Sequence, residues 1–185
     1  MSNYGPQHWA AAKHLLRYLQ GTRSLGVFYR CRDDPYLIFR TFTDSDWAQG
    51  EIRKSVCGYI VEMGGGPISW SSKQQGVVAL SSCEAGYIAS THATKQVLWL
   101  RSLSQELRFA QDNPSSLFCD NQGSITCTHD PQHHSRMKHI DLRYHFICDC
   151  VQKRLIDCIH VSSAENMADL LTKPLLRIIH AKWVM

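Results

Sequence analysis

Four carboxylates in this chain are placed where they could do metal chemistry: Asp44, Glu84, Asp120 and Asp169, separated by 40, 36 and 49 residues. Each stands at the end of a predicted strand or early in a predicted helix, and such ends can converge over one edge of a sheet. Four hard oxygen donors without thiolates suit Mg²⁺ or Mn²⁺. Carboxylates holding two such ions would make a phosphodiester-cleaving site. Taken singly, each acid also has a structural explanation. Asp44 opens an ordinary Asp-Ser-Asp turn. Glu84 is the fourth member of Ser81-Ser82-Cys83-Glu84, a capping-box pattern, and Asp120 could cap the short helix that follows it. Asp169 lies four residues after Glu165 on an expected helix, a repulsive spacing unless a cation is near.

The elements that must position these acids follow from the hydrophobic pattern. Leu37–Thr43 reads as an apolar, β-branched strand delivering Asp44 at its end. Cys57–Met63 and Pro67–Ser71 are strands joined by Gly64-Gly65-Gly66; three glycines between strands make a hairpin turn, and with no helix after them they offer no phosphate loop. Ser81–Leu107 is the longest helix, with an apolar stripe from Ala85 through Ile88, Ala93, Val97 and Leu100 to Leu107. Ser116–Cys119 is a short strand, Asn121–His129 a helix, Ile140–Leu155 another helix and Asp157–Val161 the last strand. One helix carrying both Glu165 and Asp169 is expected to follow, ending near Pro174. Upstream, residues 8–20 form an amphipathic helix with Trp9, Ala12, Leu15 or Leu16 and Leu19 on one stripe, and Ser24–Arg30 a short strand. Asp33-Asp34-Pro35 is turn chemistry, not a polymerase carboxylate pair. A meander of three strands followed by strands alternating with helices predicts an α/β fold with a mixed sheet and helices on its faces.

The 185 residues are enough for one domain with a buried core. With 44% hydrophobic and 19% charged residues the composition is that of a soluble globular protein. No apolar run approaches the ~20 residues that span a bilayer, and Met-Ser-Asn-Tyr-Gly-Pro-Gln-His lacks the regions of a signal peptide. A net charge of +4 fits a polyanionic partner without demanding one. The eight cysteines sit mostly in apolar segments and read as reduced core thiols. His133, His134, His139, His145, Cys148 and Cys150 crowd together, but the Cys-x-x-Cys pairs of common zinc sites are absent.

Seven stretches, in order, resemble the ribonuclease H domain that ends the polyprotein of copia-type retrotransposons. They are Thr43–Ala48, Arg53–Ser55, Ile68–Gln74, Ala79–Ala85, Cys119–Gln122, His134–Phe146 and Ala168–Leu175. The resemblance implies the ribonuclease H fold, a five-stranded mixed sheet whose first three strands form an antiparallel meander, flanked by helices. It implies that Asp44, Glu84, Asp120 and Asp169 are the family's acidic tetrad, holding two Mg²⁺ ions for which Mn²⁺ can substitute. Asp46 competes with Asp44, but the family pattern sets the catalytic acid first. The domains would be residues 1–34, a remnant of the reverse transcriptase tail; 35–176, ribonuclease H-like; and 177–185, a C-terminal tail. The sequence departs from the family at Gly86, where Glu is usual, and Cys57 and Cys83 replace small polar residues. Val161-Ser162-Ser163 also offers no equivalent of the mobile His of cellular ribonucleases H.

The expected activity is endonucleolytic hydrolysis of the RNA strand of an RNA–DNA hybrid, in the cytoplasm or a retroelement particle. The reverse transcriptase part of the same polyprotein is an expected partner, and a membrane is not. Lys73, Arg136, Lys138, His139 and Arg143 are the expected phosphate-contacting residues, against the alternative of a solvated surface. The alternative function is a catalytically inactive remnant that binds nucleic acid without cutting it.

Overall fold

The computed structural model describes residues 4–29, 38–47, 53–109, 111–129 and 141–184. Five strands form one mixed sheet: β1 (Arg40–Asp46), β2 (Val56–Met63), β3 (Gly66–Gln74), β4 (Ser115–Cys119) and β5 (Ile156–His160). Their order is β3-β2-β1-β4-β5. The β1–β2 and β2–β3 pairs are antiparallel, the β1–β4 and β4–β5 pairs parallel. This is the predicted meander followed by two parallel additions, each reached through helices. The helices are α1 (Pro6–Thr22), α2 (Ser82–Glu106), α3 (Gln122–His129), α4 (Asp141–Gln152) and α5 (Arg177–Val184).

The central strands are buried, and their two-residue alternation sorts side chains between faces. Phe39 on the approach to β1, Val61 on β2, Leu117 on β4 and Ile156 on β5 pack against Tyr87, Ala93, Val97 and Leu100 of α2 and Ile147 of α4. Each such large side chain contributes about 1.5–3 kcal/mol of burial. Truncating Leu117, at the middle of the sheet and 1% exposed, would cost about 2–5 kcal/mol. The helix α2 begins as its capping sequence requires. Ser81 is extended, and its Oγ accepts the Glu84 N–H at 3.1 Å. Gln75, buried at the end of β3, donates from Nε2 to Ala85 O at 3.0 Å and to Cys57 Sγ at 2.9 Å, tying the start of α2 to β2.

Two expectations need correction. Residues 25–29 form no strand: Tyr29 lies against Gly66 and its OH donates to Pro67 O at 2.8 Å, but no ladder forms there among the described residues. The single helix expected for Glu165 and Asp169 is two 3₁₀ turns, Ser163–Glu165 and Met167–Leu171. Asn166 breaks it with φ −86° and ψ 102° because its side chain, fully buried, is committed elsewhere. Its Nδ2 donates to Thr43 O at 3.1 Å, and its Oδ1 accepts the Ala168 N–H at 3.2 Å. Within the expected C-terminal tail, Arg177–Val184 form the helix α5. The helix α1 forms as expected, yet buries no residue against the sheet: Trp9, Leu15, Leu16 and Leu19 are all more than half exposed.

Candidate metal centre

The parallel pairing of β1 with β4 sets Thr43 opposite Cys119. The next residue in each segment is an acid, Asp44 inside β1 and Asp120 one residue past β4, so two carboxylates stand side by side; β1 runs on to Asp46, so Asp44-Ser45-Asp46 is strand and not the expected turn. The third arrives from far along the chain. The turn Met167–Leu171 packs on β1 and β2 and presents Asp169 to the other two. Carboxylate oxygens of Asp44, Asp120 and Asp169 lie within 4.8 Å of one another.

That docking depends on a missing side chain. Gly58 is the register partner of Asp44 on β2. A Cβ there would sit 2.7 Å from Thr172 Cγ2, 2.9 Å from Leu171 Cβ and 3.1 Å from Ala168 O. With only hydrogen at Gly58, the 3₁₀ turn lies flush on the sheet. Ser72 of β3 clasps it further, its Oγ donating to Leu171 O at 2.6 Å.

Three acids this close repel. At 4.8 Å a pair of unit charges costs about 3.5 kcal/mol with an effective dielectric constant of about 20. The fold offsets this with one cation and two hydroxyls. Lys173 Nζ lies 2.8 Å from Asp169 Oδ1 and 3.2 Å from Asp44 Oδ2. Thr172 Oγ1 donates to the same Asp44 oxygen, and Ser163 Oγ donates to Asp120 Oδ2 at 2.7 Å. Burial, opposed by the Lys173 bond but joined by the charges of Asp44 and Asp120, holds the Asp169 pKa above its ordinary value. Burial and then the Asp44 charge raise Asp46 as well, with Lys173 opposing. For Lys173 itself, burial alone would lower the pKa. The bond to Asp169 and the fields of both acids outweigh it and leave the pKa raised, so the ammonium stays charged.

The donor set fits a divalent metal. Three carboxylates converge, Asp44 only 4% exposed, and the ammonium seated between two of them marks a place where a cation is stabilised. Glu84 lies outside this group of three. It is buried, and its Oε2 accepts the Leu80 N–H at 2.8 Å, one residue before the cap. The Trp47 indole, just past β1, donates to Ala79 O at 3.1 Å and ties that end of the strand to the approach to α2. Of the expected phosphate contacts, Lys73 is exposed on β3. Arg136, Lys138 and His139 lie outside the described residues, as does the Arg143 side chain. Among the histidines and cysteines of the expected cluster, Cys148 and Cys150 are buried free thiols.

From the sequence, Ser162 or Ser163 was expected only as a helix cap, and Gly58, Asn166, Thr172 and Lys173 had no part in the acid site. A signal existed for Lys173, four residues after Asp169, the spacing at which a cation steadies an acid. Gly58 carried none, because a glycine inside a strand does not say what approaches it. At Gly86 a Cβ would make ordinary van der Waals contact with Asn121 Cβ at 3.4 Å and Ser124 Oγ at 3.5 Å, so the first turns of α2 pass close to the start of α3.

No family model matches the chain. It is 42% identical over 172 residues to the retrovirus-related Pol polyprotein from transposon RE2 of Arabidopsis thaliana, covering 92% of this chain and 12% of that protein. It is 42% identical over 175 residues to the corresponding polyprotein from transposon TNT 1-94 of Nicotiana tabacum, covering 94% and 13%. Among solved structures it is similar to LC11-RNase H1, isolated from compost, with a TM-score of 0.56 at 16% identity over 74% of this chain and 93% of that one. The same enzyme in complex with RNA/DNA hybrid aligns with a TM-score of 0.52 at 16% identity over 72% and 93%. The chain thus spans about an eighth of the length of the polyproteins it matches. Its sheet order is that of the ribonuclease H fold, and its sequence is similar to one part of the retrovirus-related Pol polyproteins of transposons.

Proposed function

We propose that this domain hydrolyses the RNA strand of an RNA–DNA hybrid, with Asp44, Asp120, Asp169 and Glu84 holding two Mg²⁺ ions. The observation that carries the reading is the convergence of Asp44, Asp120 and Asp169 within 4.8 Å on the ribonuclease H fold. The bound ions would supply an activated water and stabilise the leaving 3′ oxygen. Asp44 and Asp120 would hold the ions, and Asp169 and Glu84 would complete the two sites. The chain's own part is to hold these oxygens fixed, with Asn166 and Gly58 docking the Asp169 turn and Ser81 anchoring the first turn of α2. Discrimination for RNA would come from contacts with its 2′-hydroxyls.

Residues 1–34 are assigned to the preceding reverse transcriptase part of a polyprotein. The apolar face of α1 supports this, since Trp9, Leu15, Leu16 and Leu19 stay more than half exposed and α1 has no buried residue among the described residues. The polymerase would then be the partner that covers it and helps to grip the hybrid.

The test is cleavage of labelled RNA–DNA hybrid, RNA duplex and DNA duplex in Mg²⁺. The expected result is cutting of the RNA strand of the hybrid alone, leaving 5′-phosphate and 3′-hydroxyl ends. Equal cutting of all three, cutting of DNA alone, or binding of hybrid without turnover in Mg²⁺ or Mn²⁺ would overturn it.

A further inference from the structure

Lys173 does more than neutralise a charged cluster, because of where its backbone and its ammonium each stand. The backbone is fixed: the Lys173 N–H bonds to Asp169 O at 3.1 Å, and its neighbour Thr172 is pinned between the Asp44 carboxylate and Gly58. The ammonium is not enclosed. The side chain is 32% exposed, against 4% for Asp44, so it lies between the buried acids and solvent. Its two acceptors, Asp169 Oδ1 and Asp44 Oδ2, are oxygens of the triad that converges as a metal site. A divalent ion binds carboxylate oxygens at about 2.0–2.6 Å, so an ion held by Asp44 and Asp169 would face the ammonium at short range, and like charges repel.

We propose that Lys173 is a tethered counter-cation. It holds Asp44 and Asp169 together in the metal-free domain and must swing to solvent when a divalent ion enters, so metal affinity is set by an internal competition. The inference rests on the reading of the triad as a metal site. It adds that the apo site is already closed around a cation, and that tighter metal binding is available to the fold at the expense of apo stability. A lysine that only braced the segment would do the reverse, since its loss would loosen the ligands and weaken metal binding.

The experiment uses the full chain and compares the parent with Lys173→Met and Lys173→Arg. Mg²⁺ binding is followed by calorimetry, Mn²⁺ binding by electron paramagnetic resonance, and melting is recorded without metal. Lys173→Met should bind both ions about tenfold more tightly, within the usual range of coupling between sites, and should melt lower without metal. Lys173→Arg, which keeps the charge, should stay near the parent. Unchanged or weaker binding by a folded Lys173→Met would overturn the competition while leaving the metal site intact. Asp44→Asn separates the two readings: if it binds metal as the parent does, or if the parent binds neither ion, the metal site itself fails and the proposal with it. Should Lys173→Met not fold, ¹⁵N-lysine spectra of the parent decide. The Lys173 ammonium resonance should move on Mg²⁺ saturation, and an unmoved resonance in a metal-loaded protein would refute the swing.

Discussion

Gly58→Ala tests the claim that the acidic site is assembled by the docking of one short turn on β2. The new Cβ would meet Thr172 Cγ2 at 2.7 Å and Leu171 Cβ at 2.9 Å. Ordinary carbon contacts lie at about 3.5–4.0 Å, so the Asp169 turn must lift by about 0.7 Å or more. It cannot slide freely, because Asn166 is bonded to Thr43 O and Ser72 to Leu171 O. Overpacking of this kind costs about 1–3 kcal/mol, or roughly 2–10 °C in Tm for a chain of this size. The functional loss should be larger than the stability loss suggests, since a misplacement near 1 Å can cost about 10²-fold in rate. The assay pairs urea unfolding with hybrid cleavage at saturating Mg²⁺. Gly76→Ala serves as control, because a Cβ at Gly76 meets nothing within 4 Å; it should change stability by less than about 0.5 kcal/mol and leave the rate alone. A Gly58→Ala protein with parental Tm and parental cleavage would refute the docking argument.

Other expectations concern the cap, the thiols and the basic loop. In Glu84→Gln the amide oxygen can still accept the Leu80 N–H, so stability should fall by no more than about 1 kcal/mol; cleavage should nevertheless be abolished if Glu84 holds metal, and near-normal cleavage would reduce it to a cap. Burial pushes Cys158 up to about 12 from 9.0, and likewise Cys150 to about 11. A raised folded pKa contributes stability in full below the unfolded value, and that stability is lost as pH rises toward the folded one. Between pH 9 and 11 each should therefore remove up to about 1.4 kcal/mol per pH unit, read by urea unfolding under reducing conditions; constant stability over that window would show the thiols to be solvated. Arg136→Ala with Lys138→Ala should raise the KM for hybrids of any sequence at moderate salt and lower the salt slope by about two. Its kcat should stay near the parental value, and parental KM at every salt concentration would make that stretch plain surface.

Much of the molecule is legible in its sequence, for local reasons. The strand order of the meander follows from short β-rich runs separated by turn residues. The long helix follows from its apolar stripe and from Ser81, whose hydroxyl takes the Glu84 N–H as the motif requires. The candidacy of Asp44, Asp120 and Asp169 was readable because each acid stands at the end of an expected strand or early in an expected helix. What no local pattern carried was how the third acid reaches the other two. Asn166 reads as a helix residue, yet its long-range bond to Thr43 O breaks the expected helix into two turns. Gly58 reads as a weak point in a strand, yet its missing side chain is the seat of a segment more than a hundred residues away. The spacing of Lys173 from Asp169 pairs it with that acid alone, and only the folded chain puts its ammonium between two acids brought from β1 and from the last turn. Periodicity and capping act over a few residues and are written in the chain itself; contacts across the sheet depend on which faces meet, and those were decided by the tertiary structure.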